Sequence, residues 1–486
     1  MGDRPDDPRF SRRRLLGAGG ALAASASLGG CVGGLIGGGS QAETDTANTD
    51  DAGRDTTATA DSNSTSGSDA AESLVTHERV GEGGTAIEYW TSTFYTPSRE
   101  QSSQPAAASA IKAQHEEWAK EHPDYRIDLT YQTNLEQWEQ TLLTRASRGD
   151  APPGSTLDSF WIPNNYEYLQ PLNDHVDDID DFFPFVQETA VQDGDLLAAW
   201  KYTDCRCLYY DRQLMDQYND GKAPRTWDDV IEVGATITEE EDMAGYLYRN
   251  SAFDTLPLFW GQDASLVDDS GAPVLDDEAN REAAINVFEY LRRTIDSDVT
   301  PQRVANITEY ERLASEAKNG QAAMFVGGNW QISRDFKNQM EGDSWQRWQV
   351  APIPMRGADQ YATGVGGWAE GVYLDDDDDD RAAAAKSFAA KFVEPEAMGR
   401  YCEAASLLPT RRSLYEDDDL YASDVFPYQD RFQEFLEDGY TRPTFPIYST
   451  INSEWENAIG SVVTGQEEPA SAVETMIGNV NAEYEA

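Results

Sequence analysis

The sequence predicts an α/β fold built on a parallel sheet, and three observations carry that expectation. Thr85–Trp90 is a short apolar strand, and Arg126–Tyr131 alternates apolar and polar residues as a half-buried strand does. Between them Ile111, His115, Trp118 and Ala119 recur at helical spacing up to His122-Pro123. A second helix runs over 135–148 and stops at Gly149, the residue that ends helices most easily. Strand, helix, strand, helix at this spacing indicates parallel pairing through crossover helices. Ligands of such sheets sit at the carboxyl ends of the strands, which singles out the loops after Trp90 and around Asp158-Ser-Phe-Trp161.

Residues 1–31 read as an address. Ser11-Arg12-Arg13-Arg14-Leu15-Leu16 precedes a weakly apolar Gly/Ala run that ends in Leu28-Gly29-Gly30-Cys31. A basic start, a modest apolar stretch and a small-residue ending make an export signal. The Arg12-Arg13 pair is similar to the twin-arginine signal of proteins exported folded, and the ending resembles a lipobox whose Cys31 becomes lipidated. An uncleaved anchor over 15–36 is the alternative, but Gly, Ala and Ser gain little from a bilayer. Residues 32–83 form an acidic tether. From Gly37 to Ser73 there is no Ile, Leu, Val or aromatic residue, so nothing in that stretch can build a core. The expected location is the outer face of the cytoplasmic membrane, with the globular part working near it. Asn63-Ser64-Thr65 is a glycosylation sequon.

Further along, Ala284, Val287, Phe288, Leu291 and Ile295 make one apolar helix stripe, and Phe388, Ala389 and Phe392 another. Composition then excludes functions. The chain has 37 Lys and Arg against 88 Asp and Glu, a net charge of −51. Nucleic acid would be repelled, and no polybasic face exists for anionic lipid. Lys numbers 8 against 29 Arg. A carboxylate surface with few lysine stems stays hydrated in concentrated salt, where charges are screened beyond about 3 Å. This predicts a halophilic protein. Residues 83–486 alone carry 30 basic and 75 acidic side chains, so a lone acidic residue is poor evidence for a site.

Gly320-Gln-Ala-Ala-Met-Phe-Val-Gly-Gly-Asn-Trp330 resembles a segment of the solute-binding proteins of ABC sugar importers, the maltose-binding protein type. Leu208-Tyr-Tyr-Asp211 with Pro224-Arg-Thr-Trp-Asp-Asp229, Val350-Ala-Pro-Ile-Pro354 with Gly366-Gly-Trp368 (a strand and the glycine-rich turn after it), and Pro395-Glu396 with Leu408-Pro409-Thr-Arg411 are similar to others, in the same order. The resemblance spans about 85–486, in what would be a haloarchaeal lipoprotein form. It implies two α/β lobes joined by hinge strands, with a ligand cleft between them. Lobe one is expected at 84–203 plus 324–375, and lobe two at 204–323 plus 376–486. It also implies a monomer that captures a small solute, most readily a carbohydrate, and hands it to ABC permease subunits. No catalytic residue or cofactor is expected.

Sugars offer flat C–H faces to aromatic rings and hydroxyl edges to carboxylates and amides. By position, the resemblance then favours Trp90, Trp161, Trp260, Trp330 and Trp368 as ring platforms, with Asp158, Asn164 and Asn329 as polar partners; Tyr202 and Arg356 are weaker candidates. Trp118, Trp138, Trp227 and Trp455 fall on helix patterns and are assigned to packing.

Cys205, Cys207 and Cys402 could include one disulfide or be buried thiols. The Asp375–Asp380 run lacks the alternating spacing and central glycine of a calcium loop, and no metal is expected. Two rivals stay open: a polyamine or other small-solute binder of the same fold, or an exported glycoside hydrolase, which needs two carboxylates about 5–10 Å apart.

Overall fold

The computed structural model describes residues 77–92, 105–132, 134–374, 379–417, 419, 421 and 428–485. The Arg12-Arg13 signal, Cys31, the tether up to residue 76 and Asp375–Asp378 lie outside the described residues.

The strands are β1 (His77–Val80), β2 (Thr85–Ser92), β3 (Tyr125–Gln132), β4 (Gly154–Asp158), β5 (Val191–Gln192), β6 (Asp195–Leu196), β7 (Ala198–Asp211), β8 (Met324–Gly328), β9 (Trp348–Ala351), β10 (Thr363–Val372) and β11 (Gly439–Tyr440). The main sheet runs β1-β3-β2-β4-β10-β7-β8, with β11 on β10 and β9 on β7; β5 and β6 pair separately. β2 lies parallel to both β3 and β4, as the strand–helix alternation predicts. The sheet as a whole is mixed, because β10 is antiparallel to β4 and β7, and β7 is antiparallel to β8 and β9.

The two predicted helices form over Pro105–Glu121 and Leu135–Ala146. Asn134 caps the second by accepting the Gln137 amide, and Gly149 follows its end at φ 72°, a conformation glycine adopts without strain. Glu278–Asp296 carries the predicted stripe, with Ala284, Val287, Phe288 and Leu291 buried and Ile295 half-buried. Thr226 and Asp229 close a reciprocal capping box on Trp227–Glu241.

β7 organises the rest. It is 14 residues long and buried along nearly all of its length. Residues 198–205 pair with β10, and residues 206–211 pair with β8 and β9. One strand therefore serves two packing neighbourhoods. The helices Pro105–Glu121, Asp379–Lys391 and Pro395–Ala405 pack together over β2, β7 and β10. Ala252–Trp260, Glu278–Asp296, Tyr448–Val463 and Pro469–Tyr484 pack on one another, and Tyr310–Lys318 covers β8. Residues 324–328 and 348–351 pair with residues 206–211, and the 379–405 helices pack against β2. Motif order reveals the succession of elements, but not which half of a shared strand each one joins.

One difference concerns Gly366-Gly367-Trp368, expected as a glycine-rich turn. It lies inside β10, at a bulge between Trp368 and Ala369. Gly367 has φ 152°, and a Cβ there would lie 2.1 Å from the Tyr202 carbonyl oxygen. The glycine is needed for close approach of two strands, not for a reversal.

Beneath the β7–β10 pairing lies a buried polar network. Lys201 forms an ion pair with Glu370, both 1% exposed. Glu370 also accepts hydrogen bonds from Tyr89 and Thr156, each at 2.8 Å. Removing one member of a buried pair costs about 3–5 kcal/mol, because the other charge is left uncompensated. Lys201→Met is therefore expected to lower stability by about that amount, measurable by urea unfolding in molar KCl.

His115 packs nearby against Phe388, with ring centroids 5.4 Å apart. Burial, aided by the Lys201 charge, lowers its pKa to about 3. The imidazole is thus neutral in the fold, while in the unfolded chain it takes a proton near pH 6.5. Its contribution is complete above pH 6.5 and is lost on acidification towards pH 3, by at most about 1.4 kcal/mol per unit. Urea unfolding between pH 6.5 and 5 is expected to show this loss, and His115→Phe to flatten the profile.

Candidate ligand-binding site

The carboxyl end of β4 is where the site begins. Asp158 ends that strand, accepts the Phe160 amide at 3.1 Å and so caps the short turn Ser159–Trp161. Across the sheet it stands in register with Trp368 of β10. The turn delivers Trp161 edge-on to Trp368, with centroids 5.7 Å apart. Trp138, from the 135–146 helix, stacks on Trp368 at 5.7 Å and meets Trp161 edge-on at 5.3 Å. Three indoles thus form one cluster beside a carboxylate. Asn164 donates to Glu139 at 3.4 Å. Burial raises the Glu139 pKa, with the Asn164 hydrogen bond opposing and the Asp158 charge adding to it.

A second group surrounds Arg206 on the far half of β7. Its Nη1 donates to Asp204 at 2.5 Å and its Nε to Asp254 at 3.2 Å. The guanidinium lies 4.3 Å from the Phe253 ring, 5.0 Å from Trp330 and 5.5 Å from Tyr310. Burial works against its charge, but Tyr310, Asp204 and Asp254 outweigh it and hold the proton firmly. Arg249 and Tyr310 donate to the remaining acceptor positions of Asp254, at 2.6 and 2.7 Å.

Arg442 joins the groups. Its Nη2 donates to Asp158 at 2.8 Å, and its guanidinium lies 4.7 Å from the Phe160 ring and 4.8 Å from that of Phe253. Phe160 also meets Tyr448 edge-on at 5.6 Å.

Of the residues expected from the sequence, Asp158, Trp161, Asn164 and Trp368 come together in the first group. Trp330 stands in the second, edge-on to Tyr310 at 5.1 Å. Trp260 ends the 252–260 helix and stacks on Tyr440 at 5.5 Å, outside both groups. Trp90 lies within β2 rather than at its end; its indole N–H donates to Glu88 at 2.7 Å, and Arg145 covers the ring at 5.0 Å. Asn329 is fully buried and extends the β7–β8 ladder, its side-chain oxygen accepting the Cys205 amide at 3.0 Å. Its Nδ2 has no partner among the described residues. Tyr202 is buried near Tyr401, and Arg356 is exposed on a turn. The thiols of Cys205, Cys207 and Cys402 are free and buried, and burial raises the pKa of each. Among the described residues, no three His, Cys, Asp or Glu side chains gather as metal ligands.

Sequence reasoning missed Phe160, Phe253, Arg206 and Arg442, and assigned Trp138 to packing alone. Trp138 is indeed 1% exposed, yet it forms one wall of the indole cluster. Only Phe160 had a signal, its place inside the Asp158–Trp161 loop.

The family model described as bacterial extracellular solute-binding protein matches residues 113–426. This chain belongs to that family. The solute-binding protein is thus an exported protein of a family that binds rather than transforms its ligand. It is 23% identical over 368 residues to a probable ABC transporter-binding protein of Deinococcus radiodurans, spanning 71% of this chain and 82% of that one. Among solved structures it resembles maltose-bound MalE3 of T. maritima, with TM-score 0.66 and 20% identity over 82% of this chain and 99% of that one. The GacH receptor of Streptomyces glaucescens, studied with acarbose, matches with TM-score 0.65 and 22% identity over 83% and 98%. The cyclic α-maltosyl-1,6-maltose binding protein of Arthrobacter globiformis gives TM-score 0.67 and 19% identity over 82% and 99%. These likenesses establish the two-lobe α/β fold of periplasmic binding proteins.

Gly367→Ala tests how the indole cluster is positioned. Strain and the clash with Tyr202 should cost about 1–3 kcal/mol. The near-UV circular dichroism of the stacked Trp138 and Trp368 is expected to weaken with it.

Proposed function

We propose that this solute-binding protein is the capture component of an ABC importer and that its ligand is a sugar or oligosaccharide. The observation that carries the reading is the indole cluster Trp138–Trp161–Trp368 set beside Asp158 and Asn164, because flat rings next to hydroxyl-binding edges suit a pyranose. Relatives named for maltose, acarbose and cyclic maltosyl-maltose support it. The ligand stabilises the closed arrangement through contacts it makes there and not in the open one, and the closed form engages the permease. Twin-arginine export through Arg12 and Arg13, lipidation of Cys31 and the acidic tether would hold the binder near that permease in a high-salt medium, acting as a monomer.

A polyamine ligand fits less well. It calls for several carboxylates facing rings without cationic partners, whereas Asp158 is engaged by Arg442, and Asp204 and Asp254 by Arg206. Melting curves in molar KCl with maltose, maltotetraose, spermidine and glycerol phosphate separate these readings. Stabilisation that grows with maltodextrin concentration is expected, at about 2.7 kcal/mol when the ligand stands at a hundred times its Kd. Saturable stabilisation by spermidine alone would replace the sugar with a cation.

A further inference from the structure

One side chain already sits in the site in the way a sugar ring would. Arg442 stands on the irregular segment 441–447, between β11 and the Tyr448–Val463 helix. Pro443 and Pro446 restrict that segment, and Phe445 packs on Gly271, where φ is 83° and a Cβ would lie 2.3 Å from the ring. The path of the segment is therefore held. From it the Arg442 guanidinium enters the slot flanked by Phe160 and Phe253 and lays an N–H on Asp158. A flat group against aromatic rings, with its donor edge on a carboxylate, uses the contacts that would hold a sugar's C–H face and hydroxyls.

Little room is left beside it. The adjoining space, lined by Ser159, Phe160, Thr189, Val365, Arg442 and Thr444 among others, is too narrow to admit a water molecule. Small-molecule sites commonly offer about 300–1,000 Å³. A pyranose reaching Asp158 has to move the guanidinium.

We propose that Arg442 is an internal competitor for the ligand: its guanidinium occupies the Phe160–Phe253 slot over Asp158, and the solute binds by displacing it. This rests on the sugar reading above. The ion pair is partly exposed, with Arg442 at 21% and Asp158 at 23%, so salt weakens it. Sugar affinity of the native protein accordingly rises with KCl.

The test uses Arg442→Ala in the full chain, with Arg442→Lys as a second variant that keeps the charge but not the flat fork. Each is titrated calorimetrically with maltose and maltotetraose in low and molar KCl. Each is also titrated with millimolar guanidinium chloride, following melting temperature and tryptophan fluorescence. Sugar is expected to bind Arg442→Ala about ten-fold more tightly than the native protein, with Arg442→Lys between them and the gap closing in molar salt. Guanidinium should stabilise Arg442→Ala saturably, leave the native protein unmoved and compete with sugar. Weaker sugar binding by Arg442→Ala would make Arg442 an ordinary ligand contact and overturn the proposal, as would the lack of a saturable guanidinium effect. If no sugar binds either protein while guanidinium still fills the vacated slot, the sugar reading fails and the slot assignment stands.

Discussion

Everything in the described fold hangs on how β7 is shared. Of its fourteen residues all but Asp204 are buried, and the partner changes near residue 206, from β10 to β8 and β9. A strand buried in this way cannot slip by one residue without turning its whole side-chain set over. Its register therefore sets the register of both neighbourhoods at once. Two charge systems mark its two halves. Lys201 with Glu370 lies under the first, and Arg206 with Asp204 and Asp254 lies on the second. Both are buried, so their value lies in specifying one arrangement as much as in net stability. Between them Gly367 lets β10 come close at the bulge and aims Trp368 at the indole cluster.

The site follows from that geometry. Trp368 arrives through β10, Asp158 and Trp161 through β4, and Trp330 through the residues after β8. Trp368 sits inside its strand and the others at or just past strand ends of the shared sheet, while Arg442 and Phe253 come from elements packed beside it. A ligand touching both groups couples the two halves of β7. That is the physical requirement for hinge closure driven by binding.

The acidic composition shapes local structure as well as surface. Among the described residues, six of the eight non-glycine positions with positive φ are Asp, so carboxylates occupy turns that glycine or asparagine commonly fills. Arginine takes over where lysine is scarce. Arg145, Arg206, Arg249 and Arg442 all lie on aromatic rings, a use suited to a planar, weakly hydrated cation.

How much was legible depends on the range of the interaction. Period and capping within a dozen residues revealed β2, β3, the 105–121 and 135–146 helices and the 278–296 stripe, because each signal is local. The glycine and tryptophan segments revealed the family, and with it the candidates Asp158, Trp161, Asn164 and Trp368, which the fold brings together, and Trp330, which stands by Arg206. The same glycines misled about 366–368, since a glycine demanded by strand approach looks like one demanded by a turn. Trp90 and Trp260 stand outside the two groups, against Arg145 and Tyr440, which are distant in the chain. What the sequence by itself determined is the order of elements and the family. The tertiary structure alone decided which half of β7 each segment joins and which rings share a wall. It also decided that Arg442, 284 residues from Asp158, closes the slot between them. Those are contacts of high sequence separation, and no local pattern encodes them.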